Sequence, residues 1–309
     1  MTCDYPIAVT SRSFSSNPIL LECLNDTFSK CRLNTAGQRL SDDALAEFLN
    51  GAFGAIVGIE RIDAQLISRL PSLRVLSKYG VGLDSIDTEA LTARGITLAF
   101  RPGTNSQAVA ELALFLAIAT LRRIPEALAS TRAGDWTPVT GRLLTGKTVG
   151  LVGVGSTGRA LCHLLERFDC HLLGYDPEPI PVPGVQFVGL DDLLQASDVV
   201  SIHVPLTGET RAMIGQRELA LMKESAVLVN TSRGPVLDEL ALEDALSNGT
   251  IAAAGLDVLD NEPNVSWALA RMRNVLVTPH IAGSSEESNL AMGMAAIEGL
   301  LRNLDQMGS

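Results

Sequence analysis

Three residues in the last third of the chain have the types needed for acid–base chemistry on an anion: Arg233 in TSRGPV, Glu262 in DNEP and His280 in TPHIAG. An arginine presents a planar fork of donors that can hold a carboxylate bidentately while polarising a neighbouring carbonyl. Histidine is the side chain whose ordinary pKa suits proton transfer near neutrality, and a partner carboxylate such as Glu262 favours the imidazolium and fixes the ring. Each of the three follows a short apolar run that reads as a strand: Val227 to Val229, Ala253 to Leu256 and Val275 to Val277. Open α/β sheets bind ligands at the carboxyl ends of parallel strands. Taken singly, each is also an ordinary loop residue. Spread over 47 positions (280 minus 233), they form one site only if a fold gathers them.

The elements that must do so are legible as a βα rhythm. Val149 to Val152, Leu172 to Tyr175, Val199 to His203, Ala226 to Val229, Ala252 to Asp257 and Val275 to Thr278 read as six strands with helices between most of them, a doubly wound sheet. The first strand leads into Gly153-Val154-Gly155-Ser156-Thr157-Gly158, and Arg159 to Phe168 reads as a helix. In such a loop the first glycine permits the tight turn, the second lets a pyrophosphate approach the backbone, and the third lets helix pack on strand. Free N–H groups at the helix start face the phosphates. Asp176 ends the next strand, 18 positions beyond Gly158, where a carboxylate can accept hydrogen bonds from an adenosine ribose. Pro177, Glu178 and Pro179 offer no arginine for a 2′-phosphate, so NAD is expected over NADP.

Before this series, Ile7 to Val9, Ala55 to Val57 and Arg74 to Leu76 alternate with helical patterns at 19–28, 64–70 and 88–94, a second parallel α/β sheet. Arg101-Pro102-Gly103-Thr104 reads as a hinge, and a helix apolar almost all round, 106–121, follows it. The last helical stretch, 285–304, has no sheet of its own and is expected to pack back on the first domain. A chain of 309 residues fits about two domains of about 150 residues.

Composition bounds the function. With 46% hydrophobic and 19% charged residues the chain is a packed globular protein, and a net charge of −11 argues against nucleic acid or an anionic membrane as partner. Five cysteines, an odd number without CxxC spacing, signal neither a disulfide framework nor a metal site. The longest apolar run, 112–120, is about half a membrane span, so a soluble cytoplasmic protein is expected.

Eight ordered blocks cover most of the chain beyond residue 70: KYGVGLDSID at 78–87, PGTNSQAVAELALFL at 102–116, GKTVGLVGVGSTGR at 146–159, YD at 175–176, HVPLTGET at 203–210, LVNTSRGPVLDE at 228–239, AGLDVLDNEP at 254–263 and TPHIAGSSEES at 278–288. Together they resemble the D-isomer-specific 2-hydroxyacid dehydrogenases. The block after His280 is most similar to that of phosphoglycerate dehydrogenases. Only 29 residues (309 minus 280) follow His280, so no regulatory domain is expected.

The resemblance implies two doubly wound parallel-sheet domains with a cleft between them: a flavodoxin-like substrate domain, 1–103 and 281–309, and a Rossmann NAD-binding domain, 104–280. It implies that Arg233, Glu262 and His280 are catalytic, with Arg233 also binding substrate. It implies further that Gly153, Gly155, Ser156, Thr157, Gly158, Asp176, His203, Pro205, Thr210, Thr231 and Asp257 contact NAD, with Asp257 near the nicotinamide. Val81 and Gly82 would hold the substrate carboxylate, while Lys78 and Arg12 are candidates for its distal group. The reaction implied is hydride transfer between nicotinamide and C2 of a small D-2-hydroxy or 2-oxo acid, with or without a phosphate, by a homodimer joined through the nucleotide-binding domain. The alternative is an NAD(H)-sensing binding protein on the same fold, like the C-terminal-binding-protein corepressors. Residues 1–70, which would shape the pocket, match nothing recognisable.

Overall fold

The computed structural model of the protein describes residues 3–35 and 40–308. Met1, Thr2 and Ser309, counted in the expected substrate domain, lie outside the described residues, as do residues 36–39. Two compact units form: Met1–Asn105 with Ser284–Ser309, and Ser106–Gly283.

The first unit runs β1 (Cys3–Val9), α1 (Arg12–Ser15), α2 (Pro18–Thr27), β2 (Phe28–Leu33), α3 (Asp42–Leu49), β3 (Gly54–Val57), α4 (Ala64–Ser68), β4 (Val75–Lys78), α5 (Thr88–Ala93) and β5 (Thr97–Ala99). All five strands pair parallel in the order β2-β1-β3-β4-β5, the flavodoxin-like winding. Every residue of β3 and β4 is buried, as parallel strands covered by helices on both faces must be. The sequence pattern shows three of these strands. β2 escapes it because Ser29, Lys30 and Arg32 are exposed on an edge strand, and β5 because three residues are too few to register a period.

The second unit runs α6 (Ser106–Leu121), α7 (Ile124–Arg132), β6 (Thr148–Val152), α8 (Ser156–Leu165), β7 (His171–Tyr175), β8 (Val185–Phe187), α9 (Leu190–Ala196), β9 (Val199–Ile202), α10 (Gln216–Leu221), β10 (Val227–Asn230), α11 (Glu239–Ser247), β11 (Ala253–Leu256) and β12 (Val275–Val277). Seven parallel strands lie in the order β12-β11-β10-β9-β6-β7-β8, one more than the six expected, the addition being the three-residue edge strand β8. The winding reverses at β6, so the glycine loop stands at the switch point where such sheets bind nucleotides. One face of the sheet packs Ile202, Leu228 and Leu256 with Leu193 and Leu242, and the other packs Val149 and Val229 with Leu116 and Leu161. α6 presses so closely on β11 that a Cβ added to Gly255 would lie 2.9 Å from Leu116 Cβ.

The closing helix α12 (Glu286–Gly308) buries Met292, Ala296, Ile297, Leu300 and Leu304 in one cluster with Ile7, Leu20, Leu24, Ile56 and Val75 of the first unit. Among the described residues no helix is long and apolar enough to cross a membrane.

Candidate active site

The glycine loop is shaped by contacts that only glycine permits. Gly153 has φ +93°, and a Cβ there would lie 2.9 Å from the His203 carbonyl. A Cβ on Gly158 would run into the Gly153 carbonyl oxygen. At Gly155, by contrast, an added Cβ meets nothing within 4 Å, so open space faces the loop there. Gly155 is also the N-cap of α8 and no side chain caps it, which leaves the first N–H groups of the helix without a side-chain acceptor. Behind the loop, Asp176 Oδ2 accepts the Val154 N–H at 3.0 Å and Oδ1 accepts the Glu178 N–H at 3.1 Å. A carboxylate has about four acceptor positions, so lone pairs remain for ribose hydroxyls.

Two buried polar atoms stand without hydrogen-bond partners on neighbouring strand ends: His203 Nδ1 after β9 and Thr231 Oγ1 after β10. Burial pushes the His203 imidazole down to about 4, so it is neutral, with Nε2 paired to Ser201 Oγ at 2.9 Å. Pro205 and Thr210 belong to one turn, in which Thr210 Oγ1 donates to the Pro205 carbonyl at 2.6 Å. An open space at a bare helix start, the glycine cradle and the two orphaned atoms together fit a dinucleotide. Ser156 and Thr157 form the first turn of α8 beside it.

Glu262 and His280 meet directly. His280 Nδ1 lies 2.6 Å from Glu262 Oε2, and Glu262 Oε1 accepts the Leu259 N–H at 2.9 Å. The Glu262 bond raises the His280 pKa above its ordinary value against the opposing effects of burial and Arg233. Burial acts to raise Glu262, but the bonds from His280 and Leu259, with the charges of His280 and Arg233, bring it below the usual carboxylate range. The imidazolium–carboxylate form is thus favoured, and the His280 side chain is half exposed.

His280 sits in the left-handed region at φ +53°, an uncommon conformation for a non-glycine residue. Two carbonyls, of Asp257 at 2.8 Å and Thr278 at 3.0 Å, take its N–H. Asp257 is buried, and its carboxylate is a bracket for this segment: Oδ1 accepts Thr278 Oγ1 at 2.6 Å and Ile281 N–H at 2.9 Å, and Oδ2 accepts Ala282 N–H at 2.8 Å. Arg233 belongs to a loop tied by Asn230, whose Nδ2 donates to the Arg233 carbonyl at 2.9 Å and whose Oδ1 accepts from Ser232 N–H and Oγ. Its Nη1 donates to the Ser232 carbonyl at 2.7 Å. Nearness of Arg233 to both Glu262 and His280 is felt in both of their pKa values. Asn230 and Leu259 were not singled out from the sequence, although both lie inside quoted blocks. The sequence signal is Asn230 itself, a polar residue ending the apolar run Val227 to Val229, and the structure buries it fully.

In the first unit Lys78 is buried and its ammonium donates to the Gly58 carbonyl. Val81 and Gly82 follow β4 in a half-buried loop, and Arg12 is exposed at the start of α1.

The family profile described as "D-isomer specific 2-hydroxyacid dehydrogenase, NAD binding domain" matches residues 114–282, more than half of the chain. The chain belongs to the D-isomer-specific 2-hydroxyacid dehydrogenase family. It is an NAD(P)-dependent D-2-hydroxyacid dehydrogenase, and residues 114–282 match the family's NAD-binding domain. Among relatives of this dehydrogenase, a glyoxylate reductase of Thermococcus litoralis is 40% identical over 255 residues, 78% of this chain and 77% of that one. A D-3-phosphoglycerate dehydrogenase of Mycobacterium leprae is 38% identical over 77% of this chain but only 46% of its own length. A solved NADPH-dependent glyoxylate/hydroxypyruvate reductase of Sinorhizobium meliloti, bound to NADP and malonate, superposes with a TM-score of 0.85 at 32% identity, covering 96% of this chain and 93% of that one.

Proposed function

We propose that this dehydrogenase reduces a small 2-oxo acid, glyoxylate or hydroxypyruvate in kind, to the 2-hydroxy acid, of D configuration where C2 becomes a stereocentre, with NADH. The observation that carries the reading is the 2.6 Å bond between His280 Nδ1 and Glu262 Oε2, in the unit that also bears the glycine loop. NAD, when bound, supplies the hydride carrier. Arg233 binds the substrate carboxylate and polarises its ketone. His280, held through Nδ1, gives the proton on Nε2 to the oxygen forming at C2 and takes it back in the reverse direction. Glu262 keeps the ring charged and aligned, and Asp257, whose oxygens are filled by the 278–282 segment, positions His280 from behind.

Small acids are favoured over phosphorylated ones because the glyoxylate reductases it resembles are matched over 77% and 75% of their length, whereas the D-3-phosphoglycerate dehydrogenase is matched over only 46%. NADH is favoured over NADPH because Asp176 is fixed beside the loop and Pro177-Glu178-Pro179 brings a further acid and no arginine. The five unpaired thiols fit a reducing compartment such as the cytoplasm. Exposed Phe115, Ile124, Leu128, Trp136 and Leu143, all within α6, α7 and the segment that follows, support a homodimer built on this unit. The test is a panel of glyoxylate, hydroxypyruvate, 3-phosphohydroxypyruvate and phosphonopyruvate with NADH and NADPH side by side. Turnover of the first two with NADH is expected; no oxidation of either cofactor with any acid would overturn the reading.

A further inference from the structure

Glu239, the first residue of α11, has no part in the chemistry described above, yet it is half-buried and close to the acid–base pair. Its Oε1 accepts the Asp260 N–H at 2.5 Å. One peptide earlier, the Leu259 N–H donates to Glu262 Oε1, and Glu262 Oε2 bonds His280. Gly234, next to Arg233, is pressed against the same peptide: a Cβ there would overlap the Leu259 carbonyl and lie 2.5 Å from Asp260 N. The loop that presents Glu262 is therefore clamped between the Arg233 loop and the start of α11.

We propose that Glu239 is a positioning residue of the active site, whose carboxylate clamps the Leu259–Asp260 peptide so that Glu262 reaches His280. This rests on the acid–base reading of His280 and Glu262. No other acceptor for the Asp260 N–H appears among the described hydrogen bonds, so losing Glu239 releases the peptide on that side. Burial pushes the Glu239 carboxyl above its ordinary range, against the pull of the Asp260 N–H, and the Asp260 and Glu262 carboxylates add to the rise. A carboxylate kept in place under that pressure serves a geometric need, since a helix start alone would accept any exposed acid. The charged groups acting on His280 itself are Glu262, Arg233 and Asp257.

The experiment follows the His280 imidazole by NMR in the full chain, assigned through His280→Ala, in wild type, Glu239→Gln, Glu239→Asp and Glu239→Ala. The glutamine carbonyl can still accept the Asp260 N–H. Aspartate keeps the charge but falls one methylene short, and it carries the test if the alanine variant does not fold. Expected is a His280 pKa lowered by about one unit in the alanine and aspartate variants, with the glutamine variant near wild type. The alkaline limb of kcat/KM for 2-oxo acid reduction should move with it while the KM for NADH stays fixed. An unchanged His280 pKa in folded alanine and aspartate variants overturns the clamp, and an equal fall in the glutamine variant overturns it in favour of a charge effect. Because the NMR titration needs no turnover, an enzyme inactive on every 2-oxo acid would sink the proposed function and leave this test standing.

Discussion

At the scale of residues, the pair of His280 and Glu262 makes the pH dependence predictable in sign. Reduction needs the imidazolium, and the Glu262 bond raises its pKa, so kcat/KM for the 2-oxo acid should fall as pH rises through that raised value. Oxidation of the hydroxy acid should show the opposite limb. Glu262→Gln removes the raising partner and moves the limb toward acid; a pH–rate profile that stays put would deny the pairing a role. His280→Ala should lose about 10²- to 10⁴-fold in kcat, the usual worth of a positioned acid, while NADH still binds in a fluorescence titration. The same pair contributes to stability with opposite signs at its two ends. The His280 contribution is full below the ordinary imidazole value and lost as pH rises through the folded value. The Glu262 contribution is full above the ordinary carboxylate value and lost as pH falls through the lowered one. Between these limits the ion pair is intact, and thermal denaturation of wild type against Glu262→Gln should differ most there.

At the scale of elements, the turn from β6 to α8 separates a packing role from a binding role within five residues. Gly158→Ala forces a Cβ into the Gly153 carbonyl, so it should cost about 1–3 kcal/mol by denaturant titration and weaken NADH together with the fold. Gly155→Ala meets nothing in the protein. Its stability should stay within about 1 kcal/mol of wild type, the ordinary helix-to-cap range, while NADH affinity drops, because the added methyl occupies the space proposed for the pyrophosphate. Undiminished NADH affinity in Gly155→Ala would place the phosphates elsewhere. Strand order explains why the loop lies where it does: β6 is flanked by β7 on one side and β9 on the other, and the chain leaves it at the reversal of winding.

At the scale of the whole molecule, apolar surface and charge pull in opposite directions. A net charge of −11 keeps copies of the chain apart, whereas Trp136, 88% exposed, and Leu143, 66% exposed, favour burial. A homodimer resolves that tension if the apolar stretch from α6 to Leu143 is its interface. Leu128→Glu with Trp136→Ala should then shift sedimentation from dimer to monomer at micromolar concentration. A wild-type protein that sediments as a monomer would remove the interface.

What the sequence by itself determined is whatever rests on neighbouring residues. The turn GVGSTG, the helix after it and Asp176 one strand later form a single β–turn–α–β unit, so their spacing alone predicts a nucleotide loop. The types of Arg233, Glu262 and His280 likewise announce an anion site with an acid–base pair, and the family blocks assign the chemistry. Only the tertiary structure decided which atoms meet. The parallel register of β9 to β12 aligns the ends of four strands and lets loop residues 18 to 25 positions apart exchange hydrogen bonds. That alignment gives His280 to Glu262, fills the Asp257 carboxylate with the 278–282 segment and sets Glu239 on the Asp260 peptide, while the pairing of β3 with β4 brings Lys78 to the Gly58 carbonyl. The short strands β5 and β8 were hidden for a related reason, since three residues carry too little periodicity and form only because a paired neighbour supplies the ladder. Local pattern encodes elements through side-chain period and turn chemistry, whereas partners distant along the chain are chosen by strand order and loop path, which no local pattern records.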